Sequence, residues 1–596
     1  MSGIIGRLSF DPAEILERTV LDRMLDASVN GPLETRSLFA VPGSIALGWC
    51  GPARPHGVSA IGTSDRHNIR AVADAQLTNA GELRAELERD GHKFYARTDE
   101  EIIAHAYDRW GTRGFERLRG PFACAVWDDS KRRLVLARDH IGIRPLYFAL
   151  LPGHGVVFAS EIRALLQDPG VARDWCAHGI DAYLALGYIP APLTVYRRVS
   201  KLEPAHFLIV DGRRLRVEEF WDLPVPSSAS APGDLASALK NALKGAVRRD
   251  LKDRKQAGLL YSGGIASCAL LSAAPPATGV AITVDVNQDA SELTRSDAAA
   301  AHLGRVRELE TVAHPTASLV EELAAVSGEP VGDPSAVTQL AICKAAAKYA
   351  DVALSGHGAT VLWSPNARRR ALLARFMRPD DLRTAKLTYR LWDDDHRRSI
   401  YTRSFAWEVR EANPFVRHLE RYASRSTNDP VDRAMYVDAR TFLPDNTLVA
   451  ANCAAAAAGI SLRYPFLDRQ MVELSTCAPA SLKHGRTPMW ALRTLLVPQL
   501  PARLLPPARP QPPRHPWLPA ALTTLVPKML FGPRFDGRGI VSRPALRQLW
   551  NEHLKARMDH SRRLWALLML EFWFRHFIDG DAAAEPLEYA VLVKAA

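Results

Sequence analysis

The residues best suited to chemistry stand in one short string, GLLYSGGIASCALL, with Ser262, Gly263 and Gly264 at its turn. The apolar run Ala257 to Tyr261 reads as a strand, and the run opened by Cys268, Ala269, Leu270 and Leu271 suits a buried helix. A glycine turn between a strand and a helix aims several backbone N–H groups and the positive end of a helix dipole at one spot. That makes an anion site, with phosphate or pyrophosphate as its natural guest. The same string is often a plain connection, so its neighbours have to decide between the two readings.

The elements that must position this turn lie on both sides of it. Asp234 reads as the N-cap of DLASALKNALKGAVRRDL, which places Leu235, Leu239, Leu243 and Val247 on one helical face. After the turn, VAITVDV reads as a buried strand, SELTRSDAAAAHLG as a helix and VALSG as a further strand. Strands alternating with helices predict a doubly wound, mostly parallel α/β sheet with its ligand at the carboxyl ends of the strands. The C-terminal part reads as helical, and the aromatic and leucine residues of SRRLWALLMLEFWFRHF read as core. Proline density makes Leu500 to Pro519 a loop.

The first two hundred or so residues read as β-rich. SIALGW and NIRAVADAQL are strands, the segments after Asn79 and Asp99 are helical, and PFACAVWD with RRLVLARD forms a hairpin. GIRPLYFALLPGHGVVFASEIRALL adds two strands and a short helix. DLPVPSSASAPG reads as an exposed linker, which divides the chain into residues 1–221, a linker 222–233 and residues 234–596.

Composition narrows the class. The chain has 596 residues, 47% hydrophobic and 24% charged, with no apolar run of the roughly 20 residues a membrane helix needs. Its N-terminus lacks the pattern of a secretory signal, so a cytoplasmic location is expected. Seven scattered cysteines, none spaced C-x-x-C, imply neither a disulfide framework nor a zinc site. The net charge of +11 is spread through amphipathic segments, densest at Arg368 to Arg370, without interleaved aromatics; no nucleic-acid or membrane partner is expected.

The glycine turn resembles the loop S-G-G-x-D-S of the N-type ATP pyrophosphatases, and the asparagine synthetases and their relatives match it best. GEPVGDPSAVTQLAICKAAAKYADVALSGHGATVLW is similar to the second ATP-site segment of that family, and LPDNTLVAANCAAAAAGISLRYPFLD to its later helix and turn. The resemblance implies ATP as cofactor, bound through Tyr261, Ser262, Gly263, Gly264, Ser267, Ser355, Gly356 and Gly358. It places Arg509 where a catalytic lysine stabilises the charge built up during amide formation. The N-terminal part, through ELRAELERDGHKF, ERLRGPFACAVWD and LARDHIGIRPLYF, resembles a class II glutamine amidotransferase domain, an α-β-β-α sandwich of the N-terminal-nucleophile type.

Against that pattern several chemical positions have changed. Ser2 stands at the nucleophile position in place of cysteine, Asp74-Ala75 replaces the Asn-Gly of the oxyanion hole, and Asn30 replaces the arginine that holds the glutamine carboxylate. Asp99 survives, and a lone Asp at a helix start reads as a cap. In the ATP loops Ala266, His357, Thr360 and Val361 stand where the family has acids, so no metal ligand is assigned and magnesium is not expected. Met489 replaces a lysine and Ser461 an acid, while Asp333-Pro334-Ser335, Arg463 and Asp468 persist.

Three functions fit these residues. One is ATP-dependent carboxylate activation and amide-bond formation without a glutaminase, closest in kind to the β-lactam synthetases and lasso-peptide macrolactam cyclases. A second is a silent relative that serves as scaffold or partner of an active enzyme, and a third is a nucleotide or anion sensor. The partners these readings admit are a small-molecule or peptide carboxylate, a partner enzyme, and a second copy of the chain. For the anion site, Gly263→Val is expected to block phosphate while leaving the fold intact.

Overall fold

The structure is a computed structural model that describes residues 2–28, 35–54, 58–65, 68–224, 234–251, 257–275, 280–285, 290–312, 317–363, 391–412, 421–423, 425, 429–483, 489–498, 500–506 and 518–580. Asn30, Arg368 to Arg370, most of the expected linker and Arg509 lie outside the described residues.

Two six-stranded antiparallel sheets face each other in the N-terminal part. Strand Gly3–Ser9 lies inside the first, paired with Ile45–Gly51 on one side and Gly155–Ala159 on the other. In the second sheet, strand Ile69–Ala75 pairs with Phe122–Asp128, which forms the expected hairpin with Arg133–Arg138. Side chains alternate across each strand, so Ile4 and Leu8 join Trp49, Val72, Trp127 and Leu136 between the sheets while Ile5 faces outward. Helix Arg18–Ser28 covers the outer face of the first sheet, and helices Ala80–Arg89 and Asp99–Trp110 cover that of the second. This is the expected α-β-β-α sandwich.

The C-terminal part is built on a five-stranded parallel sheet in the order Arg307–Thr311, Val280–Asp285, Ala257–Leu260, Val352–Leu354, Ser461–Arg463. The chain starts in the middle, builds outward to one edge, then returns to build the other. The order therefore reverses between Ala257–Leu260 and Val352–Leu354, and a crevice opens beyond the carboxyl ends of those two strands. Helix Leu235–Leu251 leads into this sheet, with Asp234 Oδ1 accepting from the Ser237 amide at 3.0 Å and Leu235, Leu239, Leu243 and Val247 buried as the sequence predicts.

The two parts share one apolar core. Helix Ala177–Leu186 is buried on nearly every side. Its Tyr183 hydroxyl donates to the carbonyl of Ala566 at 3.0 Å, and its Asp181 accepts from Arg397 at 2.9 Å and Tyr401 at 2.7 Å. Lys201 meets Glu329 at 2.8 Å, and Asn452 donates to the carbonyl of Ile143 at 2.7 Å. Among the described residues no helix is long and apolar enough to cross a membrane.

Candidate functional site

The glycine turn sits at the switch point of the parallel sheet. Gly264 caps helix Ile265–Ala273 with extended backbone, and Gly263 has φ +70°, a conformation side chains disfavour. The turn is tied internally: the Ser267 hydroxyl donates to the Gly264 carbonyl at 2.9 Å, the Ser262 amide donates to Ser267 Oγ at 3.3 Å, and the Gly264 amide donates to Ser262 Oγ at 3.3 Å. Ser262 is exposed and Gly264 half-buried, so backbone N–H groups and the helix dipole meet an accessible surface. The donor set fits a phosphate group.

The Tyr261 side chain and the side-chain position of Gly263 both face the neighbouring helix. Tyr261 does not face the crevice; its ring is buried, and its hydroxyl donates to the Ser296 carbonyl at 2.9 Å on helix Ala290–His302. An apolar environment on the core side holds the ring there. Gly263 is backed by the same helix: a Cβ at this position would lie 2.5 Å from the Cβ of Ser296. Gly263→Val would therefore disturb the fold, contrary to expectation. Gly264 is less crowded, an added Cβ meeting Ser262 Oγ at 3.1 Å, the tip of a side chain and not a backbone atom.

The second loop arrives from strand Val352–Leu354. Ser355 donates its amide to the Arg463 carbonyl at 2.8 Å, and its hydroxyl lies 2.5 Å from His357 Nδ1. Gly356 rests against the start of the glycine-loop helix, where a Cβ would come within 3.0 Å of Ala266. Gly358 is a packing glycine, with φ +87° and Leu467 Cδ2 at 2.2 Å from an added Cβ. Ser355, Gly356 and Ala266 thus converge, while Gly358 faces the core. Burial pushes the His357 imidazole down to about 4, leaving it neutral at pH 7. Thr360 is exposed and Val361 buried on helix Ala359–Trp363. A methyl group, a neutral imidazole, a hydroxyl and an isopropyl group occupy the four positions in question, and they do not fit magnesium, whose protein ligands are carboxylates.

The other retained positions serve the scaffold. Asp333 Oδ1 accepts from the Ser335 amide at 2.9 Å, and Asp468 caps helix Arg469–Cys477 while accepting from Arg249 at 2.7 Å. Arg463 lines a cleft between the two parts with Gln76, Arg144 and Asp250, and burial pushes the Asp250 carboxyl up to about 7. Met489 packs against the core, and Ser461 is a strand residue paired with Val352.

In the sandwich, the packing of one sheet against the other brings Ser2 to Asp74 across 72 residues. The Ser2 hydroxyl donates to Asp74 Oδ1 at 2.5 Å, and Arg144 lies 3.4 Å from Oδ2 of the same carboxylate. Asp74 is buried, and the strand behind it carries Cys50, whose thiol is pushed up to about 11 by burial. Asp99 is not a cap: Thr98 caps helix Asp99–Trp110, accepting from the Glu101 amide at 3.3 Å, while Asp99 accepts from the Leu77 amide at 2.9 Å. Desolvation pushes the Asp99 carboxyl up to about 6. Arg144 and Ser296 were not singled out from sequence, because each matters through a partner on another element.

The architecture is a parallel-sheet α/β unit, with a glycine turn at its switch point, joined to a double antiparallel sandwich. The asparagine synthase family profile matches residues 238–575, and the glutamine amidotransferase domain profile matches residues 61–221. The chain belongs to the asparagine synthase family. It is 30% identical over 567 residues to a protein of Mycobacterium tuberculosis named "Putative asparagine synthetase (glutamine-hydrolyzing)", covering 86% of this chain and 85% of that protein. It is 24% identical over 560 residues to asparagine synthetase (glutamine-hydrolyzing) 1 of Bacillus subtilis, covering 87% of each.

Proposed function

We propose that this chain is an ATP-dependent amide-bond-forming protein of its family that takes nitrogen from a source other than glutamine hydrolysis in its own N-terminal domain. One observation carries the second half of this reading, the contact of Asp74 with Ser2. A carboxylate 2.5 Å from the nucleophile's oxygen occupies the place where an oxyanion would need donors, and it opposes the charge that glutamine hydrolysis would develop there. Family membership and the exposed glycine turn at the start of helix Ile265–Ala273 support the first half. ATP, when bound, supplies activation of a carboxylate; the glycine turn and Ser267 orient its phosphates. The carboxylate is a small molecule or a peptide, and the amine is free or part of the same substrate.

A second reading, a silent partner of an active enzyme, is favoured by Ala266 and His357 at positions where acids would hold magnesium. One assay separates the two. Pyrophosphate release from ATP is followed with a panel of carboxylates, using ammonia, hydroxylamine or glutamine as nitrogen donor. The expected result is release with a free amine and none of the glutamate that glutamine hydrolysis would yield. Glutamate production that disappears in Ser2→Ala overturns the glutaminase part. ATP binding without pyrophosphate release, and with affinity unchanged by magnesium, selects the silent partner.

A further inference from the structure

Away from both candidate sites, three metal-ligating side chains meet on the outer face of the second antiparallel sheet. Asp65 follows the short strand Gly62–Thr63, His92 follows helix Ala80–Arg89, and His105 lies in the middle of helix Asp99–Trp110. His92 Nδ1 lies 3.0 Å from His105 Nδ1 and 3.6 Å from Asp65 Oδ2, and one ligand atom from each of the three falls within 4.8 Å of the others. Two donors each about 2.0–2.1 Å from one zinc ion in a tetrahedral site stand roughly 3.3 Å apart, between the two observed separations.

The three groups are held in place by the surrounding backbone. The Lys93 amide donates to both oxygens of Asp65 at 3.1 and 3.2 Å, fixing the carboxylate beside the rings. The Glu101 carboxylate accepts from the amides of Tyr95, Ala96 and Arg97 at 2.7, 3.0 and 2.6 Å, which sets the loop after His92. The His92 amide donates to the Leu87 carbonyl at 3.0 Å. Gly62 allows the close approach, since a Cβ there would lie 2.1 Å from the carbonyl group of Glu100. His105 is fully buried with Phe94 against its ring, and Asp65, Glu101 and Asp108 add negative potential around it. One buried imidazole, a second at the rim, a fixed carboxylate and surrounding negative charge are what a divalent cation of borderline softness selects.

We propose that Asp65, His92 and His105 form a zinc-class metal site, with water as fourth ligand, that clips helix Asp99–Trp110 to the two loops facing it. The competing arrangement is a hydrogen-bonded pair of neutral imidazoles beside an acid. The test uses untagged full-length protein, stripped with chelator, dialysed against zinc and measured for metal content, with a parallel cobalt titration followed by visible absorption. One equivalent of zinc and the absorption bands of tetrahedral cobalt are expected. His92→Ala and Asp65→Ala, at partly exposed positions that the fold tolerates better than the buried His105, are expected to weaken zinc at least tenfold. Zinc is also expected to raise the melting temperature of the parent and not of His92→Ala. The proposal is overturned if the parent takes up no zinc or cobalt, or if its uptake is the same in both variants.

Discussion

Gly263 and Gly264 are neighbours in the chain with opposite tolerances. At Gly263 a side chain meets φ +70° and the Cβ of Ser296, so Gly263→Val is expected to cost about 2 kcal/mol or more, read as a lowered denaturation midpoint. At Gly264 the backbone is ordinary and the closest neighbour of an added Cβ is the Ser262 hydroxyl at 3.1 Å. Gly264→Val should lower the midpoint less than Gly263→Val does, while weakening pyrophosphate binding at least tenfold in a calorimetric titration, because the bulk covers the turn. In the parent that binding is expected to weaken as salt is raised, since the turn attracts phosphate through charge and dipole. Equal pyrophosphate affinity in parent and Gly264→Val would mean that the turn is only a connection.

The second loop carries a prediction about pH. The unfolded chain takes up a proton at His357 near the ordinary 6.5, and the folded chain only at about 4. Folding is thus disfavoured progressively as pH falls from about 6.5 to about 4, with a full loss of roughly 3 kcal/mol at lower pH. Asp250, pushed up to about 7, and His140, pushed down to about 3, titrate over overlapping ranges, so the difference between parent and His357→Gln is the quantity to measure. Chemical denaturation at pH 7 and pH 4 should show a smaller acid loss in the variant. An identical loss in both would place His357 in water.

At this scale the sequence was informative where the signal is local. The glycine turn, the cap at Asp234 and the apolar face of Leu235 to Val247 are each written within a few residues. The direction of the Tyr261 ring depends on helix Ala290–His302, which no local pattern aligns with the turn. Strand Gly3–Ser9 escaped notice because both its faces are buried, which removes the polar alternation that marks a strand. The contact of Ser2 with Asp74 crosses from one sheet to the other, so it depends on how the sheets pack and is written in neither segment.

Across the whole molecule, the join between the two parts is as buried as either interior. Asp181 and Arg397 each keep a side-chain exposure of 1%, and removing one leaves the other without its partner in the core. Asp181→Ala is expected to destabilise the protein by about 3 kcal/mol, since Arg397 keeps only Asp394 and the Tyr401 hydroxyl loses its acceptor. A single calorimetric transition should persist, shifted to lower temperature. Two separated transitions would show that the halves fold independently.

Helix Ala177–Leu186 sets a limit on how the gene encoding this chain can change. The helix lies within the joint core, yet the chain returns after it to the sandwich to lay down strands Val199–Lys201, His206–Asp211 and Arg214–Glu219. A cut before the helix strips the sandwich of edge strands, and a cut after them strips the sheet domain of its packing. No single break yields two self-sufficient products. Whatever becomes of the chemistry at Ser2, a lineage carrying this architecture can alter the N-terminal half freely at its surface but cannot discard it by truncation.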